Sequence, residues 1–290
     1  MPTHELHTRH PRSYQSNRFV YPVLSRRSAG ISLGINLNPD KVCNFDCVYC
    51  QVNRREQAET QFVETDALLS ELTSLLEMAS SGEIFQHPPF DQTPAQWRRL
   101  NDVAFSGDGE PTTFRNFDEV IERCAEVKRQ RGLDDVKMVL ITNASMFHRP
   151  HVERGLAILD ANQGEIWAKL DAGTQEYFEQ VDRTPIPFRQ ILENIAVAAR
   201  RRPLVIQSLF MRLHGQLPTD AELEAYCDRL NAIQASGGAL SLVQVYTIAR
   251  QPAESFASPL SDAEIDSIVE LVQRRTQLPT AGFYGCAEKT

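Results

Sequence analysis

The chain has 290 residues, a formal net charge of −8, 42% hydrophobic and 23% charged residues, and six cysteines. That length buries a substantial core, and the composition is that of a globular protein rather than a fibrous or disordered one. No apolar run approaches the roughly 18 residues of a membrane span and no signal-peptide core opens the sequence, so a cytoplasmic protein with reduced thiols and no membrane partner is expected. The negative charge does not favour nucleic acid as a partner, although a local basic patch leaves that partner open.

Residues 1–29 read as a polar arm carrying His4, His7 and His10, with a short extra strand near 18–24. A strand-like run at 31–36 leads into a cysteine-rich loop. A helix is expected over 65–80, capped by Thr65, with Leu68, Leu69, Leu72, Leu75 and Leu76 on one stripe. Residues 81–100, with Pro88, Pro89 and Pro94, read as an irregular insertion. A strand at 102–106 follows, and then a helix capped by Asn116 whose core face is Phe117, Val120, Ile121, Cys124 and Val127.

Strand and helix keep alternating. Strands are expected at 137–142, 165–170, 204–210 and 240–247, and helices near 151–159, 174–182, 187–202 and 220–234. A last helix runs to about Thr276, with Thr219–Glu222 and Ser261–Glu264 as capping boxes for the final two. Six strand-then-helix units with short connections imply parallel strands and right-handed crossovers. The expected fold class is therefore α/β, an open partial (β/α)6 barrel with outer helices, forming one domain over residues 30–290.

Chemistry concentrates at the carboxyl ends of the expected strands, where (β/α) barrels place their sites. After the first comes Cys43-Asn44-Phe45-Asp46-Cys47-Val48-Tyr49-Cys50, with three thiols in a C-x3-C-x2-C pattern. Thiolates that close converge on one iron–sulfur cube without moving any secondary structure, and three ligands leave one iron open. A structural zinc site asks for four ligands, usually in paired knuckles, and no second knuckle is present. A disulfide framework suits neither the length nor the compartment. Ser106, Gly107, Gly109 and Glu110 follow the second strand, Asn143 the third, and Lys169 and Asp171 close the fourth. Gln207, Ser208, Arg212, His214, Gln244, Tyr246 and Thr247 lie at the ends of the last two. Cys124 and Cys227 fall on apolar helix stripes and read as inert core thiols.

The cysteine loop resembles the cluster loop of the radical S-adenosylmethionine (radical SAM) superfamily, whose fold is the same partial barrel. The resemblance implies that Cys43, Cys47 and Cys50 hold a [4Fe–4S] cluster whose open iron binds SAM, with Tyr49 beside the adenine. Ser106-Gly107-Asp108-Gly109-Glu110 is similar to the superfamily's Gly-Gly-Glu motif for the SAM amino group. Lys169 and Asp171 match where it places polar groups for the ribose and carboxylate of SAM, and Asn143, in a Thr-Asn turn after the third strand, is a further cofactor-binding candidate.

Within the superfamily, Gly34-Ile35-Asn36, Phe105-Ser106-Gly107, Lys169-Leu170-Asp171-Ala172-Gly173 and Tyr246-Thr247-Ile248-Ala249-Arg250 resemble the branch containing the wybutosine-forming tRNA-modifying enzymes. Those archaeal enzymes carry extra N-terminal cysteines for a second cluster, and no cysteine precedes Cys43 here. The implied activity is cleavage of SAM to a 5′-deoxyadenosyl radical that abstracts hydrogen from an unidentified substrate. Flavodoxin or ferredoxin is implied as electron donor. Modification of a tRNA base, or activation of a glycyl-radical enzyme, are the alternatives; a non-catalytic iron–sulfur or zinc scaffold is the reading of another class.

Overall fold

The computed structural model describes residues 14–25, 27–54 and 56–285, so the three arm histidines and Cys286 lie outside the described residues. The chain divides into two compact units: residues 1–43, 54–141 and 149–165, and residues 44–53, 142–148 and 166–290.

The first unit contains β1 (Val20–Ser25), β2 (Gly30–Ile35), α1 (Thr65–Ser81), β3 (Leu100–Phe105), α2 (Phe117–Gln130), β4 (Lys137–Thr142) and α3 (Pro150–Asp160). β1 is the extra strand; it runs antiparallel to β2, which pairs parallel with β3, and β3 pairs parallel with β4. Every residue of β2 is buried, which explains why its sequence runs apolar instead of alternating. The entry to β1 is fixed by Glu71 of α1, whose carboxylate accepts from the backbone N–H groups of Arg18, Phe19 and Val20 at 3.0, 2.8 and 2.9 Å. Leu68, Leu72, Leu75 and Leu76 of α1 are buried as the stripe predicted. The helix is not capped by Thr65, however: Glu64 takes that position without a side-chain hydrogen bond, and Thr65 is the first helical residue. Asn116 sits at the start of α2 but turns its amide to Glu119 instead of the backbone. The expected insertion holds three short 3-10 turns, Glu83–Gln86, Phe90–Gln92 and Ala95–Trp97.

The second unit contains β5 (Gly164–Lys169), α4 (Gln175–Asp182), α5 (Phe188–Arg201), β6 (Leu204–Leu209), β7 (Arg212–Leu213), α6 (Asp220–Ala235), β8 (Leu240–Tyr246), β9 (Ala257–Ser258), α7 (Asp262–Thr276) and β10 (Thr280–Phe283). β5, β6, β8 and β10 pair in that order, all parallel, while β7 and β9 form a small antiparallel ribbon. Neither the ribbon nor β10 was legible in the sequence. Register aligns Lys169 with Gln207, Gln207 with Gln244, and Gln244 with Ala281. Ser208, next to Gln207, meets the hydroxyl of Tyr226 on α6, so this polar rung points to the other face of the sheet. The Gln207 amide donates to Gln244 at 3.1 Å.

Ser261 and Glu264 complete a capping box at α7. At α6 only half a box forms: Thr219 accepts from Glu222 N–H, but the Glu222 carboxylate instead accepts from the backbone N–H groups of Gly173 and Thr174 and the Thr174 hydroxyl. Cys124 and Cys227 are buried, as their helix stripes predicted.

Candidate functional site

In the first unit the site residues gather where β2 and β3 end. Ser106 N–H continues the β2–β3 ladder by donating to Ile35 O at 3.1 Å. The side chain of Asn36 accepts from Asp108 N–H at 3.1 Å and donates to the Asp108 carboxylate at 2.6 Å. A Cβ at Gly107 would collide with the Asn36 side chain, and one at Gly109 with Val42 O and Asn38. The glycines are therefore needed because residues 36–42, the lead-in to the cysteine loop, lie directly against them. Glu110 is 3% exposed and accepts through one oxygen from the N–H and hydroxyl of Thr112, capping the 3-10 turn Pro111–Thr113.

In the second unit the rest of the cysteine loop meets the ends of β5, β6 and α4. The Tyr49 hydroxyl donates to Asp171 Oδ2, while Asp171 Oδ1 accepts from Leu209 N–H at 2.7 Å. Lys169 lies 3.1 Å from Asp171, donates to the Tyr246 hydroxyl at 2.8 Å, and stands 4.8 Å from the centroid of the Tyr49 ring. Burial alone would lower the Lys169 pKa; the carboxylate of Asp171, with Tyr246 and Cys47, outweighs that and holds it above the ordinary lysine value. Burial, followed by Asp171, pushes the Tyr49 phenol well up. Asn143 donates to the Asn44 side chain at 2.9 Å, and Asn44 donates to the Ser145 hydroxyl at 2.7 Å.

Cys47 lies 3.3 Å from Asp182 Oδ1. Burial first, then this carboxylate, raises the Cys47 thiol well above its usual value, and burial with Asp171 raises Asp182 in turn. Cys43, Cys47 and Cys50 are partly exposed and not disulfide-bonded. Among the described residues no three His, Cys, Asp or Glu side chains converge as ligands of one metal ion. An iron–sulfur cube takes each thiolate on a different iron, so its ligands do not meet at one point, and the donor set fits such a group.

The structure thus joins Tyr49, Lys169 and Asp171 directly, sets Cys47 against Asp182, ties Asn143 to the loop through Asn44, and places Ser106, Gly107, Gly109 and Glu110 in the other unit, with Gly109 against Val42. Sequence reasoning missed Asp182, Arg183 and Thr184, the contact segment for the loop; they follow no recognisable motif, and only the fold brings them to residues 44–48.

A profile described as the Radical SAM superfamily matches residues 37–230, more than half of the chain. The chain belongs to the radical SAM superfamily. Among curated proteins it is 28% identical over 165 residues to a UPF0026 protein of Helicobacter pylori, covering 56% of this chain and 45% of that protein. A UPF0026 protein of Synechocystis is 28% identical over 183 residues, covering 61% of this chain and 57% of that one. A protein of Brachyspira hyodysenteriae named GTPase Obg is 27% identical over 172 residues, covering 58% of this chain but 21% of its own length. The matches thus span little more than half, or less, of these relatives.

Among solved structures, a radical SAM methyltransferase from Sphaerobacter thermophilus superposes with a TM-score of 0.61 at 12% identity, covering 91% of this chain and 68% of that one. TYW1 with a lysine-pyruvate adduct bound gives a TM-score of 0.51 at 13% identity, covering 85% of this chain and 74% of its own. These likenesses establish the fold as α/β, a partial barrel of the radical SAM kind. Membership implies SAM, an iron–sulfur cluster and a reductant. Among the described residues no helix is long and apolar enough to cross a membrane.

Proposed function

We propose that the chain is a radical SAM enzyme in which Cys43, Cys47 and Cys50 hold a [4Fe–4S] cluster. When bound, the reduced cluster supplies the electron that cleaves SAM to methionine and a 5′-deoxyadenosyl radical, which takes hydrogen from a substrate. The observation that carries this reading is the network Tyr49–Asp171–Lys169, which joins the cysteine loop to the ends of β5 and β6.

In this reading the protein's own groups bind and orient. Lys169, kept cationic by Asp171, presents positive charge beside the loop for an anionic ligand group such as a carboxylate. Tyr49 offers a ring face held by its hydrogen bond to Asp171. Ser106, Gly107, Gly109 and Glu110 bring backbone carbonyls and a carboxylate suited to an ammonium, and Asn143 holds the loop's Asn44. Residues 30–290 serve as one catalytic domain, fed by a flavodoxin- or ferredoxin-type donor in a reducing cytoplasm. Addition of SAM to the reconstituted, reduced protein under anaerobic conditions tests the proposal. The expected result is a changed electron paramagnetic resonance (EPR) spectrum with release of methionine; an unchanged spectrum and intact SAM would overturn it.

A further inference from the structure

The cysteine loop is gripped from two sides within the second unit. On one side Asp46 N–H donates to Asp182 O at 3.1 Å and Val48 N–H to Val181 O at 2.9 Å, so carbonyls at the carboxyl end of α4, which have no partner within the helix, accept from the loop. Thr184 continues this side, its hydroxyl donating to Asn44 O at 2.8 Å. On the other side Glu254 N–H donates to Val48 O at 3.1 Å.

One side chain spans both sides. The Arg183 guanidinium donates from Nε to Asp46 O at 2.8 Å, pairs with the Asp46 carboxylate at 3.0 Å and pairs with Glu254 at 2.8 Å. Its planar fork satisfies three acceptors in fixed directions, which an ammonium on a flexible stem does not reproduce. Arg183 also has φ +45°, at the helix-ending position where glycine is the usual residue. An arginine in a backbone conformation that disfavours a side chain points to a role for that side chain.

From these contacts we infer that Arg183, paired with Glu254, is a positioning residue for the cluster: it holds residues 46–48, and with them the Cys47 thiolate, in the geometry that receives iron. This rests on the reading of Cys43, Cys47 and Cys50 as cluster ligands. Partners behind a ligand commonly change metal retention by an order of magnitude without touching the metal.

Arg183→Gly is the decisive variant, because glycine keeps the left-handed turn while removing the fork; Glu254→Ala cuts the same clamp from the other side, and Arg183→Lys keeps the charge alone. In the iron-free chain, hydrogen exchange at Asp46 and Val48 is expected to accelerate about tenfold in all three, with amides of β6 and the circular dichroism unchanged. After anaerobic loading with iron and sulfide, loss of iron to a chelator is expected to be about tenfold faster, with a shifted EPR spectrum of the reduced state. Wild-type exchange at Asp46 and Val48 in Arg183→Gly and Glu254→Ala, or wild-type iron loss and spectrum, overturns the inference. Should the unaltered chain take up no iron, the functional reading fails alone, since the exchange measurement still decides whether the clamp exists.

Discussion

Gly109 lies so close to Val42 that a side chain on it would run into the Val42 carbonyl oxygen. Val42 is the residue before Cys43, so one close contact ties the glycine motif after β3 to the start of the cysteine loop. The motif's residue types are explained by the chain's own backbone before any ligand is considered.

Gly109→Ala is therefore expected to displace Val42 and Cys43 while the sheet of the first unit survives. Overpacking of this kind costs about 1–3 kcal/mol. Iron analysis of the reconstituted variant checks it: iron content should fall well below that of the parent while circular dichroism stays the same. Gly82→Ala is the control, since open space surrounds that Cβ, and it should cost only the strain of its positive φ.

Glu110→Gln and Asp171→Asn are expected to weaken SAM binding while iron is retained. Each removes the charge from a buried carboxylate that is hydrogen-bonded at a strand end. A lost charged hydrogen bond corresponds to about tenfold in Kd or somewhat more. Equilibrium titration with SAM decides it, and unchanged affinity in both variants would remove these residues from the SAM site.

The architecture was readable from the sequence because the local signals agreed: short apolar runs and 3.6-residue apolar stripes alternated from residue 31 to residue 276, with capping residues near their boundaries. What escaped was non-local. Glu222 was read as half of a capping box, yet its carboxylate binds Gly173 and Thr174, 49 and 48 residues away. Gly173 needs to be glycine because α6 passes against it, a contact no linear pattern announces. The cysteine loop was found by spacing alone, whereas Arg183 and Glu254 are ordinary surface types whose meaning comes only from what they touch.

Glu222→Ala leaves two backbone N–H groups at the β5–α4 turn without their acceptor. The expected cost is about 3 kcal/mol. Denaturant unfolding of the iron-free chain measures it, and Glu222→Gln, which still accepts hydrogen bonds, should recover part of the loss. A cost indistinguishable from zero would mean that the turn finds other acceptors.

Asp102, buried in β3 and accepting from the Ser32 hydroxyl, has its pKa raised above 3.8 by burial, and its hydrogen bonds only partly offset this. A carboxylate whose folded pKa is raised contributes stability that is fully present below the unfolded pKa and lost as pH rises through the folded one. Asp102→Asn removes that titration. Relative to the parent, the variant should therefore gain stability as pH rises from acid to neutral, and melting curves across that range should show the two proteins diverging. Parallel curves would refute this assignment.

The central claim is that the three loop cysteines make this chain cleave SAM, with no part for Cys124 or Cys227. Cys124 and Cys227 are buried in helix cores, so their replacement by serine should leave about four irons per chain, the content of one cube. The most direct measurement is the yield of 5′-deoxyadenosine from reduced, iron-loaded protein under anaerobic conditions with SAM. The account predicts release by the parent and by the Cys124→Ser/Cys227→Ser variant, and none above background when Cys43, Cys47 or Cys50 is changed to Ala. No 5′-deoxyadenosine from the parent, or a parental yield from any of those three Ala variants, would contradict it.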